Sequence, residues 1–190
     1  MTTVSADGLP EAATKAALRT VREMITKAHS LGSADSDEGV LERAAHIACD
    51  VLGYRACAFA LRHQDDGSFR CGATPARGPD GGLIFSAPGY EAVCQAAVPL
   101  EGGSLWLPQG AFAGPVDGPT ASAQWFCGRL WAPIVGADGA HSAFISPRQP
   151  SGLGHAGGSP PAPLEAFLLG ALAGLAELGL ELSRINTARR

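Results

Sequence analysis

The feature that most constrains the fold of this chain is a pair of apolar runs around a short polar turn, RLWAPIVGADGAHSAFI, at residues 129–145. Side chains alternate between two faces along each run, which is the period of a β-strand. Ala137-Asp138-Gly139 fits a type I turn closed by a glycine with positive φ, so the segment predicts an antiparallel hairpin. Pro133 lies inside the first strand and cannot donate a backbone hydrogen bond. We therefore expect a sheet edge or an interruption beside it.

Earlier segments supply further strands. Period two over residues 54–62 predicts a strand, a turn at 64–67 leads into a second strand near 68–76, and a third is expected at 104–107. In the first strand Phe59 shares a face with Cys57 and Leu61, while alanines share the other. We expect the alanine face to lie under a helix and the Phe59 face to contribute to the floor of a cavity.

Helical spacing is found at both ends of the chain. Apolar positions predict a first helix over residues 10–31 and a second one that stops at Gly53, with Asp35 and Glu38 resembling a capping box at its start. A short helix is expected over residues 90–97. Because residues 108–123 are rich in glycine and proline, they predict a loop.

The last helix carries two apolar stripes. One has heptad spacing and consists of Leu164, Leu168, Ala171, Leu175, Leu178, Leu182 and Ile185. The other consists of Phe167, Leu169, Leu172, Ala176 and Leu180. One stripe can lie on the domain's own sheet while the other meets a partner helix; the alternative is a single broad core helix. No glycine or proline ends the pattern, so we expect the helix to continue.

Composition excludes several function classes. The 190 residues have a formal charge of −4, so no basic surface is expected to attract nucleic acid or anionic lipid. The sequence shows neither a signal peptide nor a membrane span. Five scattered cysteines without a Cys-x-x-Cys pair argue against a zinc ribbon or a disulfide framework. They favour free thiols in a reducing cytoplasm.

The order helix, helix, hairpin, loops with a short helix, strand, hairpin and long helix resembles that of GAF domains, small-molecule-sensing relatives of PAS domains. Three stretches carry the resemblance: residues 41–67, where a helix ends in Leu-Gly-Tyr before a strand and an Asp-Gly turn; the hairpin at 130–145; and the closing helix at 164–185. The resemblance implies an α+β fold with an antiparallel sheet of five to six strands. It also implies N- and C-terminal helices on one face, and loops and short helices that cap a pocket on the other.

The same resemblance suggests how the chain is organised. Residues 1–9 are expected to form a flexible tail, residues 10–36 an N-terminal helix and linker, and residues 37–190 the GAF-like domain, with 164–190 as its closing helix. Terminal helices of GAF proteins commonly form a parallel dimer bundle and continue into an output domain. We therefore expect a covalently linked output domain and a homodimer, whose interface residues are Leu168, Ala171, Leu175, Leu178, Leu182 and Ile185.

The capping region does not match the cofactors and ligands known for GAF domains. The Asn-Lys, Phe and Asp-Glu signature of cyclic-nucleotide-binding members is missing. A bilin would need a thiol such as Cys71 or Cys94, but neither has a histidine next to it in the sequence. Haem would need an axial histidine, for which only His141 and His155 lie in suitable segments. The sequence therefore requires no cofactor, and neither haem nor bilin is expected.

Half of the chain's aromatic residues lie in the capping region: Phe85, Tyr90, Trp106, Phe112, Trp125 and Phe126. They either line a pocket for an apolar or planar ligand or anchor irregular loops to the sheet. Under the first interpretation, the ligand-binding residues are Phe59, Phe85, Tyr90, Cys94, Trp106, Trp125, Cys127 and Arg129.

Three hypotheses for the function follow. The first is a sensory ligand-binding domain of a signal-transduction or transcription-regulatory protein, which transmits through its terminal helices. The second is a ligand-free dimerisation module. The third is a thiol-dependent enzyme of the free methionine sulfoxide reductase type, in which Cys94 and Cys127 converge across the cap. Because no histidine or lysine is adjacent to either thiol in the sequence, we do not expect an enzyme.

Overall fold

A computed structural model of the chain describes residues 11–74, 84–111, 125–136, 139–148 and 161–189. In chain order, its helices and strands are α1 (Glu11–Ala28), α2 (Asp37–Leu52), β1 (Ala56–Arg62), β2 (Phe69–Thr74), β3 (Ile84–Phe85), α3 (Ala87–Ala96), β4 (Val98–Pro99), β5 (Leu105–Leu107), β6 (Arg129–Val135), β7 (His141–Arg148) and α4 (Pro163–Ala188). Of the residues singled out above, Ala137, Asp138, Phe112 and His155 lie outside the described residues, as does the N-terminal tail.

The strands form one antiparallel sheet in the order β3-β2-β1-β7-β6-β5-β4, seven strands in the described ranges. The two predicted hairpins form its centre, because β1 pairs with both β2 and β7, and β7 pairs with β6. The strand count exceeds the five to six expected because β3 and β4 add two-residue strands near the edges. The predicted α+β class with an antiparallel sheet is confirmed.

Pro133 lies where the sheet becomes incomplete. Strand β5 pairs with β6 only from Arg129 to Trp131, whereas the pairing of β6 with β7 continues past Pro133, which lies opposite Phe144. On the β5 side, β6 is therefore an edge at Pro133 within the described part of the chain. The sheet edge expected beside the proline is present.

The sheet separates two hydrophobic cores. Helices α1, α2 and α4 cover one face, called here the helix side, and α3 covers the other, called here the cap side. Residues that point to the helix side include Cys57, Phe59, Leu130, Ile134 and Ile145. Residues that point to the cap side include Ala60, Phe69, Trp131 and Phe144.

The orientation of β1 is the reverse of the predicted one. Phe59 points to the helix side, while its neighbour Ala60 lies on the cap side, opposite Phe144 of β7. Two small residues account for this. Gly72 lies opposite Phe59 on β2 and leaves the space that the ring occupies, because a Cβ at Gly72 would overlap the ring. Ala60 in turn leaves room on the cap side for the ring of Phe144.

Helix α2 begins one residue later than the capping-box prediction requires. Its N-cap is Ser36, whose hydroxyl accepts a hydrogen bond from the Gly39 backbone N–H at 3.1 Å, so the box of Asp35 and Glu38 is wrong. The helix ends as predicted at Gly53, which has a φ of 78°. That left-handed conformation favours glycine.

Helix α4 is the central element of the helix-side core. Its buried residues are Ala166, Leu168, Leu169, Gly170, Leu172, Ala173, Ala176, Gly179, Leu180 and Ser183. By length and composition it alone, among the helices described, would suit a membrane span. However, 56% of its apolar stretch is buried inside the protein, as in the core helix of a globular domain.

A glycine contact fixes α4 against the sheet edge. Gly102, between β4 and β5, has a φ of 76° and lies so close to α4 that a Cβ at Gly170 would overlap its carbonyl oxygen. Gly174, one turn later on the same helix, is exposed and a Cβ there would meet nothing within 4 Å. The two glycines therefore differ in surroundings but not in secondary structure.

We predict opposite effects of alanine at these two glycines. Gly170→Ala should lower the free energy of unfolding by about 1–3 kcal/mol, because α4 must move away from Gly102. Gly174→Ala should raise it by about 0.5–1 kcal/mol, because alanine favours a helix interior over glycine. Urea denaturation of the two variants measures both changes. Equal effects would show that the contact with Gly102 does not constrain α4.

Candidate functional site

Seven aromatic side chains pack together on the cap side and are called here the aromatic cluster: Phe69, Phe85, Tyr90, Trp125, Phe126, Trp131 and Phe144. Phe144 is its centre, fully buried, with ring centroids of five other members 5.3–6.2 Å away. Tyr90 stacks on Phe144 with an interplanar angle of 9°. The described cap side therefore holds a packed aromatic core where a pocket was expected.

Three of the predicted ligand-binding residues belong to this cluster. Phe85 and Tyr90 are buried at 2% and 1% exposure, and Trp125 is half-buried. The guanidinium of Arg129 lies 4.3 Å above the Trp125 ring, in a cation–π contact. These contacts favour the interpretation that the aromatics anchor the cap to the sheet.

Two other predicted ligand-binding residues lie on the wrong side of the sheet. Phe59 belongs to the helix-side core, because Gly72 on β2 leaves space for its ring there. Trp106 lies opposite Leu130, which also points to the helix side, whereas its neighbours Leu105 and Leu107 pack on the cap-side core. Both assignments to the pocket are therefore wrong. The sequence predicted that side chains alternate between two faces along β1 and β5. Which of the two faces meets the cap depends on how each strand pairs with its neighbours.

Cys127 and Arg129 line a smaller cavity of about 350 Å³, called here the rim pocket, together with Tyr54, Gln109, Gly128, Leu130, Pro147 and Glu165. In it the Tyr54 hydroxyl donates a 2.7 Å hydrogen bond to Glu165 Oε1, which joins the start of β1 to α4. Burial raises the pKa of Tyr54, and the nearby Glu165 carboxylate raises it further. Tyr54 is thus a neutral donor at physiological pH.

Cys94 has a partner that the sequence did not reveal. Its Sγ lies 3.7 Å from Nδ1 of His141, and both residues are half-buried. Cys127 instead lines the rim pocket beside Pro147, and His141 and Pro147 are separated by six residues of β7, or about 20 Å of extended strand. The expected convergence of Cys94 with Cys127 is replaced by the pairing of Cys94 with an imidazole.

A β-bulge brings His141 to Cys94. Ile134 lies opposite Ala143, but the next residue of β6, Val135, lies opposite His141 rather than Ser142. The extra residue, Ser142, lets His141 face the cap side, where its ring meets Tyr90 edge-on at 5.7 Å. Simple alternation along β7 would have placed His141 on the helix side with Ala143. No residue type in the hairpin signals the bulge, so sequence reasoning missed this pair.

An open groove of about 1030 Å³ lies at the hairpin end of the sheet and is called here the hairpin-end groove. Its lining comes from both hairpins, from the start of α3 and from the helix side: Asp37, Leu61, Arg62, His63, Gln64, Asp65, Asp66, Gly67, Ala87, Gly136, Ala140, His141, Ser142 and Arg184. None of the predicted ligand-binding residues is among them. This site could not be recognised in the sequence, because its charged residues come from three separate segments.

Charges in the groove are partly paired. Arg184 Nε lies 3.2 Å from Asp37 Oδ2, which joins α4 to the first residue of α2. His63 Nδ1 lies 3.5 Å from Asp65 Oδ2. In the described ranges, no carboxylate lies within ion-pair distance of Arg62. The groove therefore has one guanidinium available to a ligand.

Comparison with known proteins identifies the fold. No protein-family model matches the chain, and no curated protein matches it in sequence. The GAF domain of a phosphoenolpyruvate-protein phosphotransferase from Coxiella burnetii has a TM-score of 0.60 at 15% identity, with 90% of this chain and 98% of that one covered. The free methionine-R-sulfoxide reductase of Neisseria meningitidis, solved with its substrate, has a TM-score of 0.59 at 15% identity, with 98% and 99% covered. A methyl-accepting chemotaxis protein has 0.60 at 14% identity, with 85% and 98% covered.

These likenesses show that the chain has the GAF fold, as the sequence predicted. At 14–15% identity they do not extend to function. Among the structures named, the same fold occurs in a phosphotransferase, a reductase and a chemotaxis protein, so function must be argued from the cavities and side chains of this chain.

We predict that His141 makes the stability of the fold depend on pH. Burial lowers the pKa of His141; Glu91 on α3 opposes this effect, and Arg62 on β1 adds to it. The unfolded chain therefore binds the proton more tightly, so the free energy of unfolding should fall as the pH drops through about 6.5. His141→Gln should reduce this fall, measured by urea denaturation between pH 5 and pH 7.5. His46→Gln, at an exposed position of α2, is the control; an equal change in both variants would contradict the assignment.

Proposed function

We propose that this chain is a sensory or regulatory domain of a signalling protein, which binds a small ligand in the hairpin-end groove and transmits binding through its terminal helices. The observation that carries the proposal is the groove lining, which joins the start of α3 on the cap side to Asp37 of α2 and Arg184 of α4 on the helix side. A ligand there would contact elements from both faces of the sheet. The chemotaxis protein of the same fold is a signalling protein, which supports a sensory role.

Arg62 makes a small carboxylate the best-supported ligand class. Its guanidinium lies beside Gly67, where the missing side chain leaves room, and it has no carboxylate partner among the described residues. Arginine donors bind carboxylates in a bidentate manner, which gives both affinity and orientation. His141 lines the same groove and supplies a second nitrogen.

The apolar or planar ligand expected from the sequence has less support. It would have to separate rings of the aromatic cluster that already contact one another, at the cost of their buried apolar surface. The open groove needs no such rearrangement.

Transmission would pass through the ion pair of Arg184 with Asp37. A ligand carboxylate close to Arg184 competes with Asp37, and so weakens the contact between α4 and the start of α2. The helices α2 and α4 then have two arrangements, one with the ion pair formed and one with it broken. If the ligand binds these two arrangements with different affinities, it shifts their populations. The ion pair is partly exposed, so a modest ligand affinity is enough to compete with it.

The signalling unit is proposed to be a homodimer. The predicted interface changes in part, because Leu168 is buried in its own protomer, and Ala171 and Leu175 are half-buried against the same core. The apolar residues of α4 that remain exposed are Leu164, Phe167, Leu178, Leu182 and Ile185, which we call the exposed stripe. Its near-heptad spacing is suited to a second helix with the same repeat, which a second copy of the chain supplies. Leu18 and Ile25 of α1 extend the exposed apolar surface.

We predict that a small carboxylate stabilises the protein through Arg62. Of acetate, succinate and citrate, at least one should raise the unfolding midpoint of the wild type by roughly 5–10 °C at 100 times its Kd. Arg62→Gln should abolish this rise, because it removes the guanidinium. Differential scanning fluorimetry measures the midpoints.

The control for this experiment is Arg55→Gln, which removes an exposed arginine outside the groove and should leave the rise intact. A rise that persists in Arg62→Gln would place the ligand elsewhere. If none of the three carboxylates acts on the wild type, the ligand class proposed here is wrong and the ligand-free dimerisation module is favoured.

We predict that Leu178→Glu weakens the dimer. Burying a leucine contributes about 1.5–3 kcal/mol, and the dimer contains two copies, so the dissociation constant should rise by roughly a hundredfold or more. Ile84→Glu is the matched control, because Ile84 on β3 is an aliphatic residue with the same exposure of 62% as Leu178. Sedimentation velocity at micromolar concentration measures both. A monomeric wild type, or equal effects of the two variants, would contradict the interface.

A further inference from the structure

The Cys94–His141 pair has the geometry of a thiol with a local base. Sγ and Nδ1 are 3.7 Å apart, and the two residues come from separate elements, α3 and β7. The edge-on contact of Tyr90 with the imidazole limits how the ring can turn, since Tyr90 is itself held by stacking on Phe144. The pair is therefore positioned by the aromatic cluster rather than by chance surface contact.

Both members of the pair are uncharged at neutral pH. Burial raises the pKa of Cys94 to about 11, although the Tyr90 hydroxyl opposes this effect. Burial lowers the pKa of His141; Glu91 raises this pKa, and Arg62 lowers it further. The resting state is consequently a thiol beside a neutral imidazole, which is able to accept the thiol proton during attack on another molecule.

We propose that Cys94, with His141 as its base, captures small α,β-unsaturated carbonyl compounds as covalent adducts. Cys94 is half-buried, so part of its surface is open to solvent, and its partner His141 lines the hairpin-end groove. Arg62 lines the same groove and supplies a positive charge for the oxygen of the carbonyl. The capture does not depend on the proposed reversible ligand, although a carboxylate bound at Arg62 would compete with it.

The reaction needs no oxidant or reductant. Cys94 Sγ forms a bond to the β-carbon of the unsaturated carbonyl while the thiol proton moves to Nδ1 of His141. The electron pair of the carbon–carbon π bond passes to the carbonyl oxygen as an enolate, which Arg62 stabilises. The imidazolium then returns the proton to the α-carbon, so that the product is a neutral thioether and His141 is neutral again.

An adduct at Cys94 would alter the contacts of α3. Cys94 lies one helical turn after Tyr90, and it packs against the cap-side core as a partly buried residue. Additional bulk at this position competes for space with the stacking of Tyr90 on Phe144. Covalent capture would thereby loosen the cap from the sheet.

The test is the pH dependence of alkylation by N-ethylmaleimide, which is an α,β-unsaturated carbonyl. Adducts at each cysteine are followed by peptide mass spectrometry from pH 7 to pH 9. Only the thiolate of a thiol without a base attacks. As long as the pH is below the pKa of the thiol, its reaction rate should therefore rise about tenfold with each unit increase in pH. Cys94 should instead show a nearly constant rate across this range in the wild type. His141→Gln should restore the tenfold dependence and slow the reaction at pH 7 by at least about tenfold.

Cys49 is the internal control. It is also half-buried, and burial also raises its pKa, but its charged neighbour is the carboxylate of Asp50. Its rate should rise about tenfold per pH unit in both proteins. Cys57 is fully buried and should stay unlabelled while the fold is intact, which separates loss of the base from unfolding. A tenfold dependence of Cys94 in the wild type, which requires no variant, would overturn the proposal, as would an unchanged profile in folded His141→Gln.

Discussion

The stacking of Tyr90 on Phe144 is the contact on which the cap side of the structure depends. Phe144 lies on β7, which pairs with both β1 and β6 at the centre of the sheet, and Tyr90 lies on α3. Five rings approach Phe144, so a larger side chain next to it would disturb the whole aromatic cluster. Ala60, opposite Phe144 on β1, makes this packing feasible by its small size. The cap is thus held by side chains whose positions the central strands fix.

Elements from both faces of the sheet meet at one end, around the hairpin-end groove. On the helix side, α4 is fixed near its start by the close approach of Gly170 to Gly102, and it reaches the hairpin-end groove through Arg184. On the cap side, α3 begins at the groove, and His141 links the groove to Cys94. A molecule placed at this end would contact elements of both layers, whereas a molecule between the sheet and the cap would first have to disrupt a packed core.

The sequence predicted the elements of the fold better than their orientation. Period two in β1, the glycine turns and the helix stop at Gly53 depend on local chemistry, so they were readable from the chain. Which face of β1 received the helices depended on Gly72, a residue on another strand, and Phe59 was therefore assigned to the wrong side. The candidate site was predicted least well. Cys94 was named, but its partner His141 is 47 residues away and reaches it only through the bulge.

The bulge at Ser142 lies next to the turn that joins β6 to β7. Beyond Ala143 the register of β6 and β7 is regular, so the irregularity is confined to the tip of the hairpin. A slip of one residue at this tip would bring Ser142 opposite Val135 in place of His141, while Phe144 and the core behind it kept their positions. The partner of Cys94 is thus set by one extra residue at the hairpin tip, whereas the core around Phe144 depends on the regular register behind it.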